Sequence, residues 1–319
     1  MKTKKITSDI CVIGAGPAGL TAGLFASRRG LKTCIISKDL GGQAITAPIE
    51  NYPGIDHILG FDFAKKTWEQ AKKYGCEFIQ DEVVSLEKEQ EGFVVHTSQC
   101  LDIYAQAVIL ACGKVPRNLG VTGEKELFGK GVEYSRADDS TYQGIHVAVI
   151  GGGASAVQSA IALSEYAKKV TIIHRRDSFS AEATDIQILA KKENAECMFS
   201  SVVLEITGKD QVESLIIEDI KTHEQCHIPI RKALIAVGLE FNLSFLGSLV
   251  QRDERGQICI TSQNETSCTG IFAAGDATTL PFHQVIVSAG EGAKAALSAY
   301  RFFQEKRGKR SMLMDWEHS

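Results

Sequence analysis

The sequence predicts an α/β protein of two Rossmann-like, doubly wound nucleotide-binding domains, one inserted into the other. Three observations predict it. The apolar run Asp9-Ile10-Cys11-Val12-Ile13 stops in Gly14-Ala15-Gly16-Pro17-Ala18-Gly19 and restarts with helical apolar spacing through Ala26. Much later, His146-Val147-Ala148-Val149-Ile150 runs into Gly151-Gly152-Gly153-Ala154-Ser155-Ala156 and a second helical pattern through Leu163. Two such units are far more specific than one. Third, Gly270-Ile271-Phe272-Ala273-Ala274-Gly275-Asp276 is an apolar strand that delivers one carboxylate at its C-terminal end, the edge where ligands of open α/β sheets bind.

Composition sets the outer limits. At 319 residues, with 44% hydrophobic and 23% charged residues, the chain reads as ordinary globular protein long enough for two domains. A net charge of −4 offers no basic face for nucleic acid. Lys2, Lys4 and Lys5 precede a strand that turns at Gly14, too soon for a signal-peptide core or a membrane span, so a cytoplasmic protein without membrane contact is expected. Nine cysteines, mostly inside apolar strands and none spaced C-x-x-C, suit reduced thiols better than a disulfide framework.

In the first fingerprint, Gly14 makes the tight turn, Gly16 lets a pyrophosphate approach the backbone, and Gly19 lets helix and strand pack closely. The phosphates then lie at a helix N-terminus, where free N–H groups and the dipole favour negative charge. Arg28-Arg29-Gly30 closes the turn, and Lys32 to Ile36 reads as the second strand. The acid that usually follows for the adenosine ribose is missing, because the chain reads Ser37-Lys38-Asp39. Gly41-Gly42-Gln43 and Glu50-Asn51-Tyr52-Pro53-Gly54 are loops directed at the same crevice. Phe63 to Tyr74 predicts an amphipathic surface helix. Residues 76–104, with Val84 among them, predict a β-meander, and Ala107 to Gly113 predicts a strand buried on both faces.

From Lys114 to Gly131 the chain turns polar and glycine-rich, a crossing between domains. In the inserted segment, strand Val170 to Ile173 ends in His174-Arg175-Arg176, where an NAD site would place its acid. Arginines there favour a 2′-phosphate, hence NADPH over NADH. Strands resume at Val202 to Leu204 and Leu215 to Ile217 and finish with Ala233 to Gly238. His223-Glu224-Gln225-Cys226-His227 sits between two strands and lacks a second ligand pair, so no metal is expected. After Asp276, suited to a ribityl hydroxyl, His283-Gln284-Val285 opens a long helix expected to end near Phe303, before Lys306-Arg307-Gly308.

These motifs resemble the low-molecular-weight thioredoxin reductases and the related flavoprotein subunit of alkyl hydroperoxide reductase over nearly the whole chain. The resemblance implies FAD in a domain of residues 1–117 and 245–319, NADPH in a domain of residues 118–244, and a homodimer. FAD contacts would be Gly14, Gly16, Pro17, Ala18 and Gly19, then Gly41, Gly42, Gln43, Asn51, Val84 and Gly113, and finally Gly275, Asp276, His283, Gln284, Val285 and Trp316. NADPH contacts would be Gly151, Gly153, Ala154, Ser155, Ala156, His174, Arg175 and Arg176.

The family's Cys-x-x-Cys lies just before the second fingerprint. Here that stretch reads Gly131-Val132-Glu133-Tyr134-Ser135-Arg136-Ala137-Asp138-Asp139-Ser140. Serine and aspartate cannot cycle between thiolate and disulfide. In this the chain is similar to the thioredoxin-reductase-like ferredoxin/flavodoxin–NADP reductases. Those relatives place an aromatic tail residue against the flavin, which marks Trp316 for that position. Ala154, Gln158 and Ser180 replace the family's asparagine, glutamate and third arginine, so NADPH is expected to bind with a weaker grip. The expected activity is hydride uptake from NADPH and direct electron transfer from FAD to ferredoxin, flavodoxin, a quinone or oxygen. The alternatives are dithiol chemistry with a partner thiol protein and a non-enzymatic flavin-bound sensor.

Overall fold

The computed structural model describes residues 4–46, 48–134 and 139–309. The chain forms two compact units, one of Met1–Val115 with Phe241–Ser319 and one of Pro116–Glu240. The first is built on strand Lys4–Ile13, whose Ile10, Cys11 and Val12 have no exposed surface. Parallel neighbours flank it, Thr33–Ser37 on one side and Leu101–Leu110 on the other. Glu77–Gln80 extends the parallel set beyond Thr33–Ser37, and Ile271–Ala273 pairs with the C-terminal half of Leu101–Leu110. Continuous apolar runs are what such doubly covered strands require. Helices Pro17–Arg28 and Val285–Lys306 pack together on one face, where Ala18, Ala22 and Ala26 share a buried cluster with Ala295, Ala296 and Ala299. Small side chains let the two helices approach closely.

In this unit two features depart from the sequence reading. The meander expected over residues 76–104 loses its first strand, because Glu77–Gln80 joins the parallel edge, and Asp81 donates its N–H to the Ser37 carbonyl (3.1 Å). Its last strand does not stop at Tyr104. Leu101–Leu110 is one strand, pairing antiparallel with Gly92–Thr97 through its first half and parallel with Ile271–Ala273 through its second. The long helix also runs past Phe303 to Lys306. An Arg301–Glu305 ion pair (3.7 Å) and Lys306 over the Phe302 ring (5.4 Å) hold its last turn, and Gly308, at φ +69°, ends it.

The second unit has its own parallel sheet, in the order Val132–Glu133, Lys232–Ile235, His146–Ile150, Lys169–Ile173, Ala195–Met198. Helix Ala154–Leu163 covers one face, burying Ala156, Val157, Ala160 and Leu163 in one cluster with Val147, Val149, Val170 and Ile172. On the other cluster, Val203, Ile206, Leu215 and Ile217 come from a three-stranded antiparallel sheet, Ser201–Thr207, Ser214–Asp219 and Gln225–Pro229. That third strand corrects the reading of residues 223–227. His223 lies in the turn, at φ +59°, while Cys226 and His227 belong to the strand itself.

Candidate functional site

Strand Lys4–Ile13 delivers the first fingerprint. Gly14 sits at φ +107°, and a Cβ there would lie 2.2 Å from the Ala111 oxygen. A Cβ on Gly19 would lie 1.9 Å from the Gly14 oxygen. Neither position accepts a side chain, so strand, turn and helix stay in contact. Gly16 differs. It is the N-cap of Pro17–Arg28, without a side-chain cap, and nothing lies within 4 Å of where its Cβ would be. The N–H groups of the first turn, including those of Ala18 and Gly19, therefore face an open cradle suited to a pyrophosphate.

The loops after the next strand close on this cradle. Gly41 donates its N–H to the Ala15 oxygen (2.8 Å), and a Cβ on Gly42 would meet the Gly16 Cα at 3.4 Å. Gln43 Nε2 donates to the Lys114 carbonyl (2.6 Å), just after Gly113, and Asn51 Nδ2 donates to Gln284 Oε1 (2.9 Å). Gly275 brings strand Ile271–Ala273 against Ala18. Asp276 Oδ1 accepts from Ser288 Oγ (3.1 Å) and stands 3.5 Å from His283 Nδ1, while His283 Nε2 lies 3.2 Å from Lys114 Nζ. Gln284 is the N-cap of the helix that Val285 begins, again without a side-chain cap. Val84 lies apart, 52% exposed at a bulge three residues beyond Asp81. Lys114 was not singled out from the sequence. Its position directly after Gly113, at the end of a buried strand, was the available signal.

The second unit repeats the cradle. A Cβ on Gly151 would lie 2.2 Å from the Ala236 oxygen, whereas Gly153, the uncapped N-cap of Ala154–Leu163, has open space at its Cβ position. Ala154, Ser155 and Ala156 form the first turn. Beneath it lies the His174 ring, 2.4 Å from where a Gly152 Cβ would sit. His174 is only 9% exposed, stacks on Phe179 (6.0 Å), and keeps a buried Nε2 without a partner. Burial pushes its pKa below the usual imidazole value, and the Arg176 and Arg175 charges add to this. Arg175 and Arg176 follow on the exposed rim. Ser180 does not reach outward like an arginine, since its N–H donates to the Gly152 oxygen (2.8 Å). Gln158 is turned to Asp185 Oδ2 (3.0 Å).

The cysteines offer no internal pair at the crevice among the described residues. Cys112 stands at its edge with its Sγ 3.7 Å from the Ile13 oxygen, and burial pushes its thiol up to about 12. Cys11, Cys34, Cys76 and Cys268 are buried, and Cys100, Cys197 and Cys226 are exposed on other parts of the chain. Ser135 to Asp138 and Trp316 lie outside the described residues. Among the described residues no group of three or more His, Cys, Asp or Glu is arranged for a metal, and no helix is long and apolar enough to cross a membrane.

Comparison with known proteins agrees with this geometry. Residues 8–296 match the family described as pyridine nucleotide-disulphide oxidoreductase. The thioredoxin reductase of Listeria innocua is 36% identical over 310 residues, 96% of this chain and 97% of the relative. The Lactococcus lactis thioredoxin reductase structure is 34% identical, with a TM-score of 0.77 over 93% of this chain and 99% of its own. The T. acidophilum thioredoxin reductase structure is 37% identical, with a TM-score of 0.73 over 92% and 98%. Two glycine cradles, two parallel sheets and near full-length likeness together place the chain in the pyridine nucleotide-disulphide oxidoreductase family, among the low-molecular-weight thioredoxin reductase-like flavoproteins that bind FAD and use NADPH.

Proposed function

We propose that this protein oxidises NADPH and passes electrons from FAD directly to an external acceptor, without a redox disulfide of its own. One observation carries the reading: residues 131–140 hold no cysteine, and no two of the nine cysteines in the chain are spaced C-x-x-C. Bound FAD supplies the redox chemistry, accepting hydride from NADPH and releasing electrons to the acceptor. The chain supplies position and charge. The Gly14 to Gly19 cradle, with Gly41 and Gly42, holds the FAD pyrophosphate, and Asp276 accepts from a ribityl hydroxyl. Gln43, Asn51, Gly113, His283, Gln284 and Val285 surround the ring. For NADPH, the Gly151 to Ala156 turn, with His174 packed beneath it, takes the pyrophosphate, and Arg175 and Arg176 take the 2′-phosphate, whose charge suits paired guanidinium donors.

The acceptor class is a ferredoxin, a flavodoxin or a quinone, and the protein acts as a cytoplasmic homodimer. Stopped-flow mixing with NADPH is expected to bleach the flavin, with recovery on adding ferredoxin, flavodoxin or quinone and none on adding thioredoxin. Rapid thioredoxin reduction abolished by changing Cys112 would overturn the reading. A second reading, in which a partner thiol protein meets the flavin directly, is favoured by the disulfide chemistry of the family. It predicts recovery with a disulfide substrate that survives Cys112→Ser.

A further inference from the structure

At the C-terminal edge of the first unit's sheet, three charge-bearing side chains stand in a row. Asp276 Oδ1 is 3.5 Å from His283 Nδ1, and His283 Nε2 is 3.2 Å from Lys114 Nζ. An ammonium has three donors and no acceptor. With Lys114 donating to Nε2, a neutral His283 carries its proton on Nδ1, towards Asp276. The row is fixed at each end. Ser288 Oγ donates to Asp276 (3.1 Å), the Lys114 carbonyl accepts from Gln43 Nε2 (2.6 Å), and the Lys114 ammonium stands 5.3 Å over the Phe241 ring. The residue next to His283 is held as well, through the Asn51–Gln284 bond (2.9 Å). Lys114 is thus turned to an imidazole rather than to a carboxylate. Among the described residues no carboxylate stands within ion-pair distance of Lys114 Nζ, and its charge lies beside His283, the residue before the N-cap of the 22-residue helix Val285–Lys306, where it adds to the positive end of that helix.

We propose that Lys114, held in place by His283, is the positioning residue that sets the reduction potential of the flavin. The proposal rests on the FAD placement argued under the proposed function. Hydride from NADPH brings two electrons and one proton, leaving NADP⁺, so the flavin gains one negative charge until a second proton follows from solvent. Oxidation by the acceptor removes the two electrons and returns the proton or protons to solvent. A fixed cation beside the ring favours the reduced, negatively charged form over the neutral oxidised one. Its removal makes reduction by NADPH less favourable and electron release more favourable.

The test compares the FAD-loaded wild-type protein with Lys114→Gln and Lys114→Arg. The midpoint potential is read by equilibration with a reference dye, and FAD affinity and the thermal midpoint are measured alongside. Lys114→Gln is expected to shift the reduction equilibrium about tenfold towards oxidised flavin, about 30 mV for a two-electron couple. FAD affinity should change less than about threefold, and Lys114→Arg should recover most of the shift. An unchanged potential in FAD-loaded Lys114→Gln overturns the proposal and leaves the proposed function standing. Loss of FAD from both variants also overturns it, because Lys114 would then serve retention. A wild-type protein that takes up no FAD overturns both.

Discussion

A methyl group on residue 19 would sit 1.9 Å from the Gly14 carbonyl oxygen, well inside van der Waals contact. Gly19→Ala must therefore push the helix off the strand, an overpacking cost of about 1–3 kcal/mol. Purified Gly19→Ala is expected to be colourless or sub-stoichiometric in FAD, and a fully yellow variant of wild-type stability would remove the close-packing argument. On the nucleotide side, Arg175→Ala with Arg176→Ala should erase the preference for NADPH over NADH, read as the ratio of kcat/KM values. An unaltered ratio would assign the 2′-phosphate to other residues. Acid sensitivity belongs to this scale too. Burial lowers the His174 pKa, with Arg176 and Arg175 adding to it, and burial followed by the Lys169 charge lowers that of His146. A depressed folded-state value means the unfolded chain binds the proton more readily. Stability is then complete above the unfolded value of about 6.5 and falls as pH drops through the lower folded value. Urea midpoints should fall between pH 7 and pH 5, and more shallowly in His174→Gln; parallel slopes would contradict the assignment.

Elements flanking residues 135–138 are tied to one lysine. Lys232, on the strand Lys232–Ile235, pairs with Glu133 Oε1 (2.6 Å), donates to Thr141 Oγ1 (2.7 Å) and lies 4.3 Å over the Tyr142 ring. Tyr142 is fully buried and its hydroxyl donates to the other Glu133 oxygen. The short strand Val132–Glu133 and the turn Asp139–Tyr142 are thus held to the parallel sheet from both sides of the segment. Lys232→Met leaves the Glu133 carboxylate half-buried without its counter-charge and should cost about 3 kcal/mol. Adding Glu133→Gln should recover part of that loss. If the single variant keeps the wild-type urea midpoint, the ion pair is not what secures these elements.

Each unit has its own parallel sheet and its own buried clusters, so each is expected to report its own ligand. Ligand that binds only the folded state adds about 2.7 kcal/mol of stability at a hundredfold excess over its Kd. Removing FAD should lower the thermal midpoint of the unit that carries the Gly14 cradle, whereas NADP⁺ should raise that of the unit carrying Gly151. Calorimetry can separate the two, and a NADP⁺ effect that persists after Arg175→Ala with Arg176→Ala would move that site elsewhere.

What the sequence by itself determined is whatever local pattern encodes. Two glycine turns between an apolar strand and a helix, and a carboxylate at the end of the Ile271 strand, were enough for an α/β chain with parallel sheets, because each turn needs residues close together in sequence. Strand partners were different. Whether Glu77–Gln80 belongs to a meander or to the parallel edge depends on the Ser37 end of another strand, and the length of Leu101–Leu110 depends on two partners, one of them Ile271–Ala273. The site's polar wiring was also decided only in three dimensions. Asn51 meets Gln284 across 233 positions, and Lys114 meets His283 across 169. Side-chain hydrogen bonds at such separations leave no periodic trace in the chain. They exist because the sheet brings several strand ends to one edge, where a lysine that reads as the start of a linker meets a histidine from the far end of the chain.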